Sequence, residues 1–522
     1  MCGILAVKLT NDETNINEMI KSNEILNMRG PDSNTLYNLD NNYIYFSRLA
    51  ILDKTVLGNQ PFIQNDNILV CNGEIFNYKE LISKYNLQCK SLSDCECIIH
   101  LYEIIGFESM IKELNGDFAI VLFTKNKVFF GRDRIGVRPL FYGFTKNGSF
   151  CLSSLARVLT NYCNDIEHVK PGWGEYNFID KTLTFFNYDN YYNTVPRMYV
   201  DNIEEKIKET LTISVKDRLM SERPIGCLLS GGLDSSLITS ILCKLLGPEN
   251  VRTYSIGMTG SIDLKNAKIV ADYLGTKHTE VIFTPEEGFN AIPYVIKDLE
   301  SYDITTIRAS VGMWLLAKYI SGNTDDIVIY SGEGADEVFC GYLYFHYAPS
   351  LKELGEESKR LIKDLYLYDV LRADRCVSSH GLELRVPFLD KRLTELIQSC
   401  SEEQIAPTNG IEKYILRNSF KNDGLLPDNI LFRRKDGMSD GISGNGKKWF
   451  EQIEEFVDIE ITDYEFLPFK NIYNNKESYY YKKIFNNIFP KYHPIINFWM
   501  PKWINCFGNP SGRMLDVFDK KY

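Results

Sequence analysis

A chain of 522 residues exceeds what one hydrophobic core supports, and 44% hydrophobic with 24% charged residues is the make-up of a soluble globular protein. Its net charge of -11 argues against a nucleic-acid partner, whose phosphates demand clustered Lys and Arg. Small substrates remain open, ATP included, because a backbone nest and a metal ion can hold phosphate locally.

In chain order, the first ~190 residues read mostly as short strands: Ile4 to Leu9, Tyr43 to Ile51, Ile68 to Cys71, Phe118 to Phe123 and Lys127 to Gly131, each apolar or alternating and bounded by turn residues. Glu96 to Ile105 is the clearest helix there, so this part is expected to be an α+β domain on antiparallel sheets. Thr184 to Tyr199, rich in Asn and Tyr and without a firm period, reads as the connection between domains. From about Asn202 the pattern changes. A helix leads to the buried strand Ile225 to Leu229, a Gly-rich loop and the helix Ser235 to Leu246. Then come the strand Thr253 to Met258, the helix Leu264 to Leu274, the strand His278 to Phe283 and, later, the strand Ile327 to Tyr330 before a second Gly-rich loop. Strands alternating with such helices predict a doubly wound α/β parallel sheet, whose ligands sit beyond the carboxyl ends of the strands. The part beyond about Ser350 reads as an added helical region. The two domains are therefore expected at 2–190 and 202–522.

No apolar run approaches ~18 residues, which argues against a membrane span. No basic n-region precedes an apolar stretch, so no signal peptide is expected. The thirteen cysteines lack CxxC pairs and accompanying His pairs. They read as free thiols in a reducing, cytoplasmic setting rather than as a zinc site.

Chemistry-bearing residues begin at Cys2. A small second residue permits removal of Met1, which would give Cys2 a free α-amine able to act as base for its own thiol. Arg29-Gly30-Pro31-Asp32 is a rigid turn charged at both ends, and Arg48 could clamp a carboxylate through two parallel hydrogen bonds. Asn72-Gly73-Glu74 follows an apolar strand, and Ser93-Asp94 precedes a helix. Each has a plainer reading: Asn-Gly is a strong hairpin signal, Ser-Asp starts helices well, and Arg48 could lie on the surface. Further on, Ser230-Gly231-Gly232-Leu233-Asp234-Ser235-Ser236 joins a buried strand to a helix. Its glycines let backbone N–H groups converge on an anion at a helix N-terminus, and the Lys of a GxxxxGK[ST] loop is lacking. Ser331-Gly332-Glu333-Gly334-Ala335-Asp336-Glu337 puts three carboxylates after a strand, suited to Mg²⁺, an amine or a proton, or else a solvated turn. Arg433-Arg434-Lys435, followed by Asp436-Gly437, offers cations to phosphates or forms a basic surface patch.

Taken in order, Cys2, RGPD, RLAIL, NGE and SDCE resemble the glutaminase domain of N-terminal-nucleophile amidotransferases, a four-layer αββα fold. The resemblance implies that Cys2 attacks the glutamine side-chain amide and that Asn72 and Gly73 form the oxyanion hole. It implies that Arg48 holds the substrate carboxylate, that Glu74 and Asp94 fix the head group, and that Leu49, Ala50, Ile51 and Leu52 line the pocket. The 230–236 loop resembles the pyrophosphate loop of enzymes that cut ATP between its α- and β-phosphates.

Over nearly its whole length the chain resembles the glutamine-hydrolysing asparagine synthetases, through CGILAV, NGEIFNYKEL, GRDRIGVRPLFYG, IGCLLSGGLDSSL, ESYDITTIRASVGM, SGEGADE, HGLELRVPFLD and WMPKWIN. That family implies ATP contacts at Leu229, Ser230, Gly231, Gly232, Leu233, Asp234, Ser235, Ser236, Ile256, Ser331, Gly332 and Lys435. It implies Mg²⁺–pyrophosphate at Asp234 and Asp336, and Glu333 serving the aspartyl-adenylate step or deprotonating ammonia. It further implies glutamine, aspartate and ATP as substrates, an internal ammonia tunnel and a homodimer. Ile262, Ala335 and Asp117 to Ile120 depart from the family's SPDL, SGEGSDE and GVFAF without removing a residue of named role. Competing readings are a related adenylating or β-lactam-forming synthetase, a glutaminase joined to a sugar-phosphate or phosphoribosyl enzyme, and a silent regulatory homologue.

Overall fold

The structure, a computed structural model, describes residues 1–187, 196–435, 437–470, 472–473, 475–494, 496 and 498–504. Two six-stranded antiparallel sheets occupy the first part. One runs in space Cys163–His168, Phe141–Thr145, Phe150–Ser153, Gly3–Lys8, Asn42–Arg48, Ser33–Leu39. The other runs Leu183–Asn187, Gly172–Asn177, Lys127–Arg132, Gly116–Phe123, Asn67–Ile75, Phe62–Gln64. Alternation sets their faces. Ile4, Ala6, Ile44 and Phe46 of the first sheet meet Val70, Ala119, Val121 and Phe130 of the second in one sealed core. Leu69, Cys71, Ile120 and Leu122 point the other way, onto the helices Tyr78–Tyr85 and Cys97–Glu113. Leu5 and Val7 face Met19 and Leu26 of the helix Ile16–Leu26. The order is helix, sheet, sheet, helix, the four-layer arrangement expected.

The third sheet is wholly parallel: Lys277–Ile282, Arg252–Gly257, Ile225–Leu228, Val328–Tyr330, Glu383–Arg385. From Ile225–Leu228 the chain winds outward twice to one side, then returns to place Val328–Tyr330 on the other side. The strand order therefore reverses between these two neighbours, which makes a crevice at their carboxyl ends. Both Gly-rich loops leave from that point.

Several expectations shift. The strand expected over Tyr43 to Ile51 stops at Arg48, because the Ala50 N–H is taken by the Asp32 carboxylate at 2.7 Å. The helix expected to end at Ile105 continues to Glu113 through a kink at Gly106, whose φ is 73°. Asn72-Gly73 makes no hairpin: the strand runs on, with Asn72, Gly73 and Glu74 opposite Ala119, Phe118 and Asp117. Of the expected connection Thr184 to Tyr199, the first residues complete an edge strand, and 188–195 lie outside the described residues. The helical part beyond Ser350 also contributes the fifth parallel strand, Glu383–Arg385.

Candidate active sites

Cys2 immediately precedes Gly3–Lys8, an inner strand of the first sheet. Its backbone N–H donates to Asn72 Oδ1 at 2.8 Å, and its thiol points to the Leu49 carbonyl at 3.8 Å. The two residues come from opposed sheets, and register fixes their meeting. Asn72 is wholly buried, and its Nδ2 is a donor without a hydrogen-bond partner among the described residues. An unmet buried donor beside a nucleophile suits a developing oxyanion. Gly73 must be glycine, since a Cβ there would lie 2.3 Å from the Asp117 carbonyl oxygen.

Burial pushes the Cys2 thiol up to about 11, partly offset by the N-terminal ammonium. Met1 is itself buried, its ammonium 3.6 Å from Glu383 and its sulfur against Arg138 Nη1. The RGPD turn is a brace: Arg29 Nε donates to the Cys2 carbonyl at 2.9 Å, while Asp32 holds Ala50. Leu49, Ala50 and Ile51 are buried beside the thiol, and Leu52 is partly exposed.

Arg48 is brought to this site but is not free to clamp. Its Nη1 donates to the Thr55 carbonyl and Asn59 Oδ1, and its Nη2 to the Leu52 and Asp53 carbonyls. It gathers the 49–59 loop around itself, and a substrate carboxylate would have to displace part of that set. Glu74 and Asp94 lie together. Asp94 Oδ2 accepts the Ile75 N–H at 2.7 Å, and burial pushes its carboxyl up to about 6. Burial raises Glu74 well above the carboxylate range, with Glu383 and Asp94 adding to it, although Arg385 stands 3.3 Å away.

The second site is a cavity of about 250 Å³ at the switch point of the parallel sheet. Ser230, Gly232, Leu233, Asp234 and Ser235 line one side, and Ser331, Gly332, Glu333 and Asp336 another. Gly231 has φ 70°, and a Cβ there would lie 2.3 Å from the Asn266 backbone. The loop is cross-tied by Ser235 Oγ, which accepts the Ser230 N–H at 3.2 Å and lies 3.3 Å from the Gly232 carbonyl. Leu229, Ser236 and Ile256 are buried around this loop.

Lys413, which the sequence reading missed, is 1% exposed and bridges Asp234 at 2.6 Å and Asp336 at 2.7 Å. Lys435 adds a contact to Asp336 at 2.6 Å. Burial alone would raise the Asp336 carboxyl, but the two lysines hold it well below the usual range. Asp234 stays raised by burial despite Lys413. Glu333 is clamped by Arg372 through Nη1 and Nη2, at 3.1 and 2.8 Å, and burial still pushes its carboxyl up. Arg433 does not offer its charge to the cavity alone: it donates to the Gly231 carbonyl at 2.9 Å and pairs with Asp263 at 3.1 Å, holding the loop. Asp436 lies outside the described residues.

Whether Mg²⁺ fits is decided by these donors. Asp234 Oδ1 is a buried carboxylate oxygen without a hydrogen-bond partner among the described residues, and Asp336 faces it across Lys413. Mg²⁺ ordinarily takes one or two carboxylates with phosphate oxygens and water, so the pair suits it.

A seam of buried ion pairs joins the two halves. Arg29 and Arg138 both reach Asp374, at 3.0 and 3.2 Å; Arg157 pairs with Asp298 at 2.9 Å; Arg218 stands between Asp117 and Asp390. Fold and sites together define a two-sited amidotransferase, with a cysteine-led site between antiparallel sheets and a phosphate-type cavity on a parallel sheet. Comparison with known proteins narrows the class. The glutamine amidotransferase domain family matches residues 1–195, and the asparagine synthase family matches residues 206–360 and 348–503. Asparagine synthetase [glutamine-hydrolyzing] of Gallus gallus is 41% identical over 99% of this chain and 98% of its own length, and that of Homo sapiens 40% over the same shares. The chain belongs to the glutamine-hydrolysing asparagine synthetases. Among solved structures, the allosteric regulatory enzyme of purine biosynthesis aligns at a TM-score of 0.31 and 14% identity, covering 54% of this chain and 80% of that one. So loose a likeness adds nothing to the sheets described above.

Proposed function

We propose that residues 2–190 form a glutaminase and residues 202–522 a synthetase, together making asparagine, glutamate, AMP and pyrophosphate from aspartate, ATP, glutamine and water. Glutamine-dependent asparagine synthesis is the activity of the family to which the chain belongs. The single observation carrying the first site is the unmet Asn72 Nδ2 beside Cys2. Once Met1 is removed, the Cys2 amine takes the thiol proton and the thiolate attacks the glutamine side-chain carbonyl. Asn72 Nδ2 and the Gly73 N–H hold the resulting oxyanion, the Cys2 ammonium passes its proton to the departing nitrogen, ammonia leaves, and water hydrolyses the γ-glutamyl thioester. Arg48, Glu74 and Asp94 hold the amino-acid end of glutamine against the wall from Leu49 to Leu52.

In the second site the 230–236 loop, Ile256, Ser331 and Gly332 hold ATP, and Lys413 and Lys435 offset its phosphate charge. Asp234 and Asp336 would hold Mg²⁺, which when bound neutralises charge on the leaving pyrophosphate. The aspartate β-carboxylate displaces pyrophosphate from the α-phosphorus to give β-aspartyl-AMP. Ammonia attacks that carbonyl, Glu333 takes a proton, and AMP leaves. A protein-enclosed route for ammonia would have to cross the seam of buried ion pairs between the two halves. Among the described residues no helix is long and apolar enough to cross a membrane. A cytoplasmic homodimer completes the proposal. Incubation with aspartate, ATP, Mg²⁺ and glutamine tests it: asparagine with AMP and pyrophosphate is expected, and glutamate without asparagine would overturn the second half.

Asn72→Ala slows glutamine hydrolysis by roughly 10²–10³-fold, the usual effect of losing one oxyanion donor, with ammonium-dependent asparagine synthesis kept. An unchanged rate of glutamate release would remove Asn72 from that role. A pH profile tests Asp94. Only its ionised form attracts the glutamine ammonium, and its raised value of about 6 marks where that form is lost. Glutaminase kcat/KM is therefore full at neutral pH and falls about tenfold per unit as pH drops below that value. A profile flat to about pH 5 would show that Asp94 does not bind the head group.

A further inference from the structure

The stretch Phe498 to Ile504 comes back from the C-terminal end of the described chain to the synthetase cavity, where Trp499 and Pro501 join its lining. Trp499 is fixed there at both polar ends of its backbone. Its N–H donates to Asp303 Oδ1 at 2.9 Å, and its carbonyl accepts from the Thr305 hydroxyl at 3.3 Å. The other oxygen of Asp303 caps the helix Ile304–Asn323, accepting from the Thr306 N–H at 2.8 Å and its hydroxyl at 2.6 Å. One buried carboxylate thus ties the returning segment to the helix that walls the cavity. At the far end Trp503 Nε1 donates to Glu353 at 3.0 Å, and Lys502 stands 3.6 Å from Glu357.

The Trp499 ring is 9% exposed and packs on Tyr342, centroids 5.2 Å apart, and edge-on against Tyr344 at 6.1 Å. The Tyr342 hydroxyl lies between Glu337 and Asp369. Asp369 shares Arg372 with Glu333. The indole is therefore a large apolar wall beside a row of charged groups, on the Glu333 side of the cavity and fixed by the same carboxylate that starts the helix.

A wall of that kind answers a specific chemical need, given the synthetase reading above, on which this inference rests. An acyl adenylate is a mixed anhydride, and water competes with ammonia for its carbonyl carbon. Polar lining alone would invite water in; an apolar face excludes it. We propose that the aspartyl group lies on the Glu333 side of the cavity and that Trp499 closes that side against water, so preserving the adenylate for ammonia. In its absence water attacks the β-carbonyl carbon and a new C–O bond forms. The bond from that carbon to the phosphate oxygen breaks, AMP departs with the electron pair, and the water's protons pass to solvent. Aspartate is regenerated and ATP is spent without asparagine.

The test is the ratio of AMP formed to asparagine formed, with ammonium as nitrogen donor, in the full chain and its variants. The unaltered protein should give a ratio near unity. Trp499→Ala should raise it about fivefold or more, and Trp499→Phe, which keeps a ring against Tyr342, should restore most of the coupling. Trp499→Ser serves in the same way if the alanine variant does not fold. An unchanged ratio in the small-residue variants, whatever happens to the overall rate, would overturn the proposal, because a purely structural role slows both products together. Failure of the unaltered protein to form AMP from aspartate and ATP would instead strike at the synthetase reading itself.

Discussion

Cys2→Ala abolishes asparagine formation from glutamine, by about 10⁴-fold or more, and leaves formation from ammonium salt intact. In the proposed mechanism the Cys2 thiol is the atom that bonds to glutamine, and its loss sets the size of the first effect. The sparing of the second follows from the layout: Cys2 leads into an inner strand of an antiparallel sheet, whereas the second cavity is built on the parallel one. Removing a partly buried sulfur atom leaves a small void and no unpaired charge, so the fold survives. Glutamate release and asparagine release, measured with each nitrogen source, separate the outcomes. Loss of both activities would contradict two sites with separate chemistry.

Asp336→Asn should remove asparagine synthesis from either nitrogen source by about 10³-fold or more, while glutamine hydrolysis continues. Two lysines converge on this carboxylate, at 2.7 and 2.6 Å, and their pull keeps it ionised in spite of burial. The amide cannot hold both ammonium groups in place, and it is a poor partner for Mg²⁺. Lys413 would retain Asp234, while Lys435 would lose its carboxylate and its fixed position toward the phosphates. Pyrophosphate release with aspartate and ATP is the measurement. Normal release from the amide variant would take Asp336 out of the phosphate-handling set.

The sequence made both Gly-rich loops and the change from antiparallel to parallel sheets legible, because each is a local pattern with a local physical reason. What it hid depends on the third dimension. Lys413 is a lone lysine in the run Gly410 to Arg417, and nothing near it in sequence announces two carboxylates at the end of its side chain. Arg48 reads as a substrate clamp because arginine suits carboxylates. Its guanidinium also gathers carbonyls of the loop that follows and Asn59 Oδ1, and no side-chain pattern announces those backbone acceptors. The helices Pro285–Leu299 and Ile304–Asn323, which the sequence reading passed over, start at a Thr284–Glu287 capping box and an Asp303 cap. The strand Glu383–Arg385 is three residues long and could be recognised only by its neighbour Val328–Tyr330.

The charged seam has a consequence for treating the halves as interchangeable parts. Arg29 and Arg138 on one side require Asp374 on the other; Asp117 requires Arg218, Glu74 stands against Arg385, and Arg134 reaches Glu395 at 2.6 Å. A glutaminase half grafted onto a foreign synthetase would strand several of these charges out of water, each at a cost of about 3–5 kcal/mol. A handful of such mismatches exceeds the whole stability of a domain. The halves therefore have to be inherited as a matched set, and any successful chimera has to carry its acids and bases across the join in pairs.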